Sequence, residues 1–182
     1  MLIGAAPGYA HGAGVNLQNI NSACIIQGNT ISYNDASLPD RYWGAGVIVA
    51  SPNDTVTIRN NEFIGNMGGL YTTTGAGGGI AIRDAFDVLI TVESNLFKDN
   101  FAKHGAGYYS RNSNNVVIRN NLFENELAYI GGGIGMFQNQ SNTGTLIPVI
   151  VNNTFFNNHA EETGGAIRLT GEEGTGMIIF NN

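Results

Sequence analysis

One block of eleven residues keeps returning along the chain, and its recurrence limits the possible folds more than any other feature. Its copies read CIIQGNTISYN (24–34), VTIRNNEFIGN (56–66), ITVESNLFKDN (90–100), VVIRNNLFENE (116–126), PVIVNNTFFNN (148–158) and a shortened MIIFNN (177–182). Aligned, they place Asn29, Asn61, Asn95, Asn121, Asn153 and Asn182 in one column, with successive spacings of 32, 34, 26, 32 and 29 residues. A second block alternates with the first: GAGV (12–15), GAGV (44–47), GGGI (77–80), GAGY (105–108), GGGI (131–134) and GGAI (164–167). The uneven spacing allows insertions between blocks while the blocks themselves persist. Helical repeats and propeller blades fit poorly, because no apolar period of about 3.6 residues accompanies either block. The pattern describes coils stacked on one another, each unable to bury a core alone.

Within the first block the apolar residues alternate as in a strand. Val56 and Ile58, Ile90 and Val92, and Val116 and Ile118 share one face, while Thr57, Thr91 and Val117 take the other. Next comes Gly28, Asn60, Ser94, Asn120, Asn152 or Asn181, mostly residue types that tolerate a left-handed backbone, so the chain is expected to bend there. The column asparagine follows, and two positions on sits Ile31, Phe63, Phe97, Phe123 or Phe155. Both columns are read as inward-facing. A buried amide can bond to its equivalents in the coils above and below, and rings at a spacing of about 4.8 Å pack face on face. The glycine block turns a tight corner and opens another strand, with Val47 and Val49, Ile80 and Ile82, Ile134 and Met136, and Ile167 and Leu169 inward. Cys24 aligns with Val56, Ile90 and Val116 and is read as a buried core thiol.

This pattern resembles the right-handed parallel β-helix superfamily, which includes pectate-lyase-like enzymes and many bacterial surface proteins. The likeness covers essentially the whole chain. The expected fold is all-β, a right-handed parallel β-helix (solenoid) of about six coils, forming a single domain over residues 1–182. GGAI at 164–167, with the runs Phe63 to Asn66, Phe97 to Asn100 and Phe155 to Asn158, is similar to the repeats of polymorphic outer-membrane adhesins and related surface proteins. Two coils depart from that pattern: Ile31 replaces the phenylalanine and Glu126 the last asparagine. No end cap is evident, since residues 1–11 are short and glycine-rich and the sequence stops within a repeat. The chain is therefore expected to be an excerpt of a longer protein.

Composition excludes some functions. Fourteen acidic against eight basic side chains give a net charge of −6, so no basic field exists to gather nucleic acid. The opening MLIGAAPGYA lacks the basic and apolar stretches of a signal peptide or membrane anchor, and no membrane insertion by this segment is expected. One cysteine allows no internal disulfide, and no zinc-type cysteine pair exists. No cofactor or metal is expected. Asp84, Asp87 and other scattered carboxylates make calcium the one ion to consider, but no loop has the dense alternating carboxylates of a dedicated site.

Two outward columns on the glycine-block strand mark where a site can form: Asn16, Ile48, Ala81, Tyr109, Gly135, Arg168, and beside them Gln18, Ala50, Arg83, Arg111, Phe137, Thr170. Trp43, Lys103 and His104 lie just before the glycine corners, and Tyr71 sits in a long loop that could wall a groove. Arginines beside exposed aromatics suit an acidic polysaccharide, because a guanidinium grips a carboxylate bidentately while rings stack on sugar faces. Trp43, Tyr71, Tyr109 and Phe137 are the candidate ligand-binding residues. The resemblance implies, for an enzyme, a basic residue that removes the proton beside a uronate carboxylate neutralised by arginine, lysine or calcium. Lys103 or His104 would then be the base, with Arg83 and Arg111 as carboxylate clamps. Each also has a plain reading: Arg83 pairs with Asp84 or Asp87, Lys103 is a solvated loop charge, and His104 hydrogen-bonds at a corner. Arg59, Glu93 and Arg119 form an outward column read as a surface ion-pair ladder.

Two functions follow as expectations. The first is a structural or adhesive β-helix segment of a secreted or cell-surface protein that binds carbohydrate. Its partners would be polysaccharide or cell-surface glycans, and neighbouring β-helix coils of the same longer chain or of other protomers. The second is a polysaccharide lyase, or other carbohydrate-active enzyme, acting on an acidic polysaccharide. Convergence of the named side chains over a groove favours a site, and dispersal over a flat face favours an inert stalk.

Overall fold

The computed structural model describes residues 14–36, 43–69, 75–137, 147–171 and 177–182. Among these no residue is helical, and each strand pairs in parallel with its equivalents one coil before and after. The glycine-block sheet holds Val15–Gln18, Val47–Ala50, Ile80–Arg83, Tyr108–Arg111, Ile134–Phe137 and Ile167–Thr170. The repeat-block sheet holds Cys24–Gln27, Val56–Arg59, Ile90–Glu93, Val116–Arg119, Val149–Val151 and Ile178–Phe180. Two further sheets were not distinguished in the sequence reading. An aromatic sheet runs from Thr30–Ser32 through Glu62–Ile64, Leu96–Lys98 and Leu122–Glu124 to Thr154–Phe156. A fourth runs from Asp35–Ala36 through Met67–Gly68, Phe101–His104 and Leu127–Ile130 to His159–Thr163. The described strands make five four-strand coils and the first two strands of a sixth, slightly fewer than the expected number of about six. The N-terminal stretch judged too short for a cap lies outside the described residues.

Residues with positive φ mark all four corners of the coils among the described residues. Asn19, Ser51, Asp84 and Asn112 turn the first corner, and Gly28, Asn60, Ser94, Asn120, Asn152 and Asn181 the second. Tyr33, Gly65, Asp99, Asn125 and Asn157 turn the third, and Gly44, Gly77, Gly105, Gly131 and Gly164 the fourth. Asparagine, aspartate and serine at most of the first three are mainly the short polar types that visit this region at least cost.

Directly after the second corner stands the inward asparagine column. The Asn61 backbone N–H and Nδ2 both donate to Oδ1 of Asn95, at 2.9 and 3.1 Å. Asn95 does the same to Asn121, at 2.9 and 3.0 Å. The second hydrogen of Asn95 Nδ2 goes back to the Ile58 carbonyl at 2.9 Å, so the buried amide is fully used. A second ladder follows the third corner, through Asn34, Asn66, Asn100, Glu126 and Asn158. In both ladders the bonds between side-chain rungs run one way: the backbone N–H and one amide hydrogen of a rung go to the side-chain oxygen of the next coil along the chain.

Between the two ladders stand the aromatic rings. Phe63 and Phe97 stack at 5.0 Å and 10°, Phe97 and Phe123 at 4.6 Å and 4°, and Phe123 and Phe155 at 5.0 Å and 7°. The glycine block is small because these rings lie against it. A Cβ on Gly79 would come 2.9 Å from Phe97 Cδ1, and one on Gly107 would come 2.7 Å from Phe123 Cδ1. The rest of the core is filled by columns such as Val47, Ile80, Tyr108, Ile134 and Ile58, Val92, Ile118, Ile150. Cys24 packs against this core but is only partly buried, because it lies in the first described coil.

The outer column of the repeat-block sheet bears out only one rung of the expected ion-pair ladder. Arg119 pairs with Glu93 at 2.6 Å, while Arg59 Nε donates to Gln27 Oε1 at 2.9 Å. Such exposed contacts contribute little each.

The buried ring stack leads to a stability prediction. Phe97→Ala removes a fully buried ring with ring neighbours on both sides and is expected to lower unfolding free energy by about 3–5 kcal/mol. Phe97→Leu is expected to cost less, and chemical denaturation of the two variants measures the difference.

Candidate ligand-binding cleft

The two outward columns of the glycine-block sheet are in register across the coils, so Arg83 and Arg111 are neighbours and Tyr109, Gly135 and Arg168 follow one another. The sequence reading took the aromatics here to be exposed, and the structure corrects this. Ile48 and Ala81 are fully buried, and Trp43 and Tyr109 are only 6% and 8% exposed. The reason is the left-handed glycine corner, which lays a further column against this face. Trp43, Ala76 and His104 are joined by parallel bridges, and the column continues through Ile130 to Thr163. Trp43, Ile48, Ala76, Ala81 and Tyr109 form a second apolar cluster outside the coil interior, with Phe137 against it. The Trp43 and Tyr109 rings meet edge to face at 5.2 Å and 70°.

Beyond Tyr109 the outward column loses bulk, because Gly135 stands between Tyr109 and Arg168. A cavity of about 190 Å³ lies there, walled by Trp43, His104, Tyr109, Arg111, Ile130, Gly135, Phe137, Arg168 and Thr170. Ligand pockets are commonly about 300 Å³ or more, so this one is sized for a single ring or small group.

Its charge is one-sided. Among the described residues no aspartate or glutamate lines the cavity, while Arg111 and Arg168 do. Among the described residues neither arginine has a carboxylate within ion-pair distance, and Nε of each is buried without an acceptor. Arg168 Nη1 donates to the Leu169 carbonyl at 3.0 Å, and the Arg111 guanidinium carbon lies 6.0 Å from the Trp43 ring centre. Burial, with a smaller effect from the Lys103 charge, pushes the His104 imidazole down to about 4, so it is neutral at pH 7. Burial raises the Tyr109 hydroxyl to about 12, partly offset by Arg111. The cleft therefore offers two cations, a neutral imidazole, a neutral phenol and apolar ring surface.

The structure gathers some of the anticipated residues and separates others. Trp43, Tyr109, Phe137, His104 and Arg111 meet at the cavity. Arg83 does not line it: its Nε lies 3.0 Å from Asp84 Oδ2, the plain reading given above, with its guanidinium carbon 5.8 Å from the Trp43 ring centre. Lys103 lies on the strand Phe101–His104 but is not part of the wall. Tyr71 falls outside the described residues. Arg168, Ile130 and Thr170 were not named as site residues. Arg168 carried a usable signal, since it continues the Tyr109 column just past a glycine. Ile130 carried none, because its strand was not distinguished. Among the described residues no three histidine, cysteine, aspartate or glutamate side chains group as a metal site.

Comparison with protein-family models, curated proteins and solved structures finds no match, so the meaning of the cleft rests on its geometry.

His104 makes the cleft sensitive to acid. Its folded-state pKa, about 4, lies below the ordinary 6.5, so between those values the unfolded chain binds more protons. The stabilisation is complete above pH 6.5 and is lost as pH falls through about 4. Relative to His104→Gln, the native chain is therefore expected to lose stability over that window. Denaturant titrations at matched pH, with the imidazole followed by NMR, check this.

Proposed function

We propose that this chain is a structural, adhesive β-helix segment of a secreted or cell-surface protein, and that its cleft binds an acidic glycan. What supports this most is the pair of guanidinium groups, Arg111 and Arg168, set beside aromatic rings over one small cavity and without carboxylate partners among the described residues. A uronate fits those terms: its carboxylate goes to the arginines, its ring lies against Tyr109 and Phe137, and its hydroxyls meet His104. The cavity admits one sugar unit, so a polymer would be held by a residue or chain end while the rest runs along the face.

Binding fits this chemistry better than lyase catalysis. A general base works best with a pKa near the operating pH. His104, lowered to about 4, is a weak base, and Lys103 is not in the cavity wall. The parallel coils suit an extended segment that presents a surface along its length.

Calorimetric titration with uronate oligosaccharides tests the reading. We expect binding that weakens with salt, no binding of neutral oligosaccharides of equal length, and a loss of about tenfold to a hundredfold for Arg111→Gln or Arg168→Gln. Absence of uronate binding would rule out the glycan-binding role. Growth of the ultraviolet absorbance of an unsaturated product during the titration would favour the lyase instead.

A further inference from the structure

The second ladder contains one rung of the wrong chemical type. Asn66 and Asn100 perform the same two tasks, as acceptors through Oδ1 and as double donors through Nδ2. Asn66 Nδ2 donates forward to Asn100 Oδ1 at 3.0 Å and back to the Ile31 carbonyl at 2.8 Å. Asn100 Nδ2 donates forward to Glu126 Oε1 at 2.9 Å and back to the Phe63 carbonyl at 2.8 Å. Asn158 Nδ2 donates back to the Phe123 carbonyl at 3.0 Å. Glu126 fills only half of this role. Its Oε1 accepts from both the Asn100 backbone N–H and Nδ2, as an asparagine Oδ1 would. Its Oε2 is buried and has no partner.

The register of the ladder gives the acceptors that belong to this level. An asparagine amide at this level would donate back to the Phe97 carbonyl, as its neighbours do to Phe63 and Phe123, and forward to Asn158 Oδ1. Asn158 Oδ1 already accepts the Glu126 backbone N–H at 2.9 Å. All of these are oxygen acceptors. An ionised carboxylate would set a buried oxygen against others with no proton between them, whereas a carboxylic acid supplies the missing donor.

We propose that Glu126 is built into the fold as a neutral carboxylic acid, its Oε2 hydrogen standing in for an asparagine amide hydrogen, and that losing this proton loosens the coil it anchors. The inference goes beyond ligand binding and does not rest on it. Full burial, first of all, pushes the carboxyl well above its ordinary range, more than the Asn100 hydrogen bonds lower it, and the nearby Asp99 charge adds to the rise. Among the described residues no cation pairs with the group. On its own coil Glu124 pairs with Lys98 at 3.1 Å. On the next coil His159 is exposed and meets Glu126 only through its backbone N–H, which donates to the Glu126 carbonyl at 2.8 Å. The strand that follows, Leu127–Ile130, carries Ile130 to the cleft wall, so this rung anchors part of the site.

The sign is fixed by linkage. A carboxyl whose folded pKa is raised stabilises fully below its unfolded value, ordinarily 4.5, and that contribution is lost as pH rises through the folded pKa. Denaturant unfolding of the native chain and of Glu126→Gln across a pH series reads this directly, since His104 is common to both and cancels. Relative to the glutamine variant, the folding equilibrium constant of the native chain is expected to fall about tenfold per pH unit above the ordinary carboxylate range. Infrared spectra at neutral pH are expected to show a protonated-carboxyl stretch that the variant lacks. Should Glu126→Gln fail to fold, Glu126→Asn, which restores the residue of the column, replaces it. A ratio that is flat or rises with pH, or a native spectrum at neutral pH without that band, would overturn the proposal.

Discussion

In this fold the nearest neighbour of most side chains is the residue at the same position one coil away, held at the spacing of the parallel backbone hydrogen bonds. That spacing, about 4.8 Å, decides what can stand in a column. A side chain must be compatible with copies of itself above and below. Amides satisfy this because one group both donates and accepts. Aromatic rings satisfy it because the spacing lies within their range of ring separations, as the 4.6 Å between Phe97 and Phe123 shows. Branched aliphatics satisfy it by simple contact. Charges of one sign do not, and the outer columns show the remedies: Glu93 stands between Arg59 and Arg119, and Asp84 lies beside Arg83 where Arg83 and Arg111 are adjacent.

The cleft arises where a column abandons self-similarity. Ile48, Ala81 and Tyr109 fill the space beneath Trp43 and Ala76, but Gly135 and Arg168 do not continue the filling. A tyrosine, a glycine and an arginine in consecutive coils make a poor stack and a good wall. The structure thus divides into columns whose uniformity holds the coils together and one stretch whose variety gives the face chemical character.

Much of the fold was legible because columns repeat. The column from Asn29 to Asn182, the phenylalanine stack and the glycine corners each recur in a single residue type, and the bends at Asn60, Ser94 and Asn120 follow from residue types that accept positive φ. The fourth sheet was not legible: strands such as Met67–Gly68 and His159–Thr163 share no residue type, and a two-residue strand shows no alternation. That gap explains the error at the site. Without the column of Trp43, Ala76 and His104, the outer face of the glycine-block sheet reads as solvent-facing, whereas those residues cover it. Glu126 was visible as a departure from asparagine, but its meaning depended on recognising a second ladder.

Both amide ladders have a direction. Along each ladder the side-chain oxygen accepts from the coil before, while the backbone N–H and one amide hydrogen go to the side-chain oxygen of the coil that follows, so the rod has chemically distinct faces normal to its axis, like the two ends of a magnet. A coil introduced upside down would bring donor to donor and acceptor to acceptor. Growth of such a rod, by duplication within a gene or by docking of another protomer, is therefore a vectorial process: whole coils can be spliced in or out, but only with the same heading.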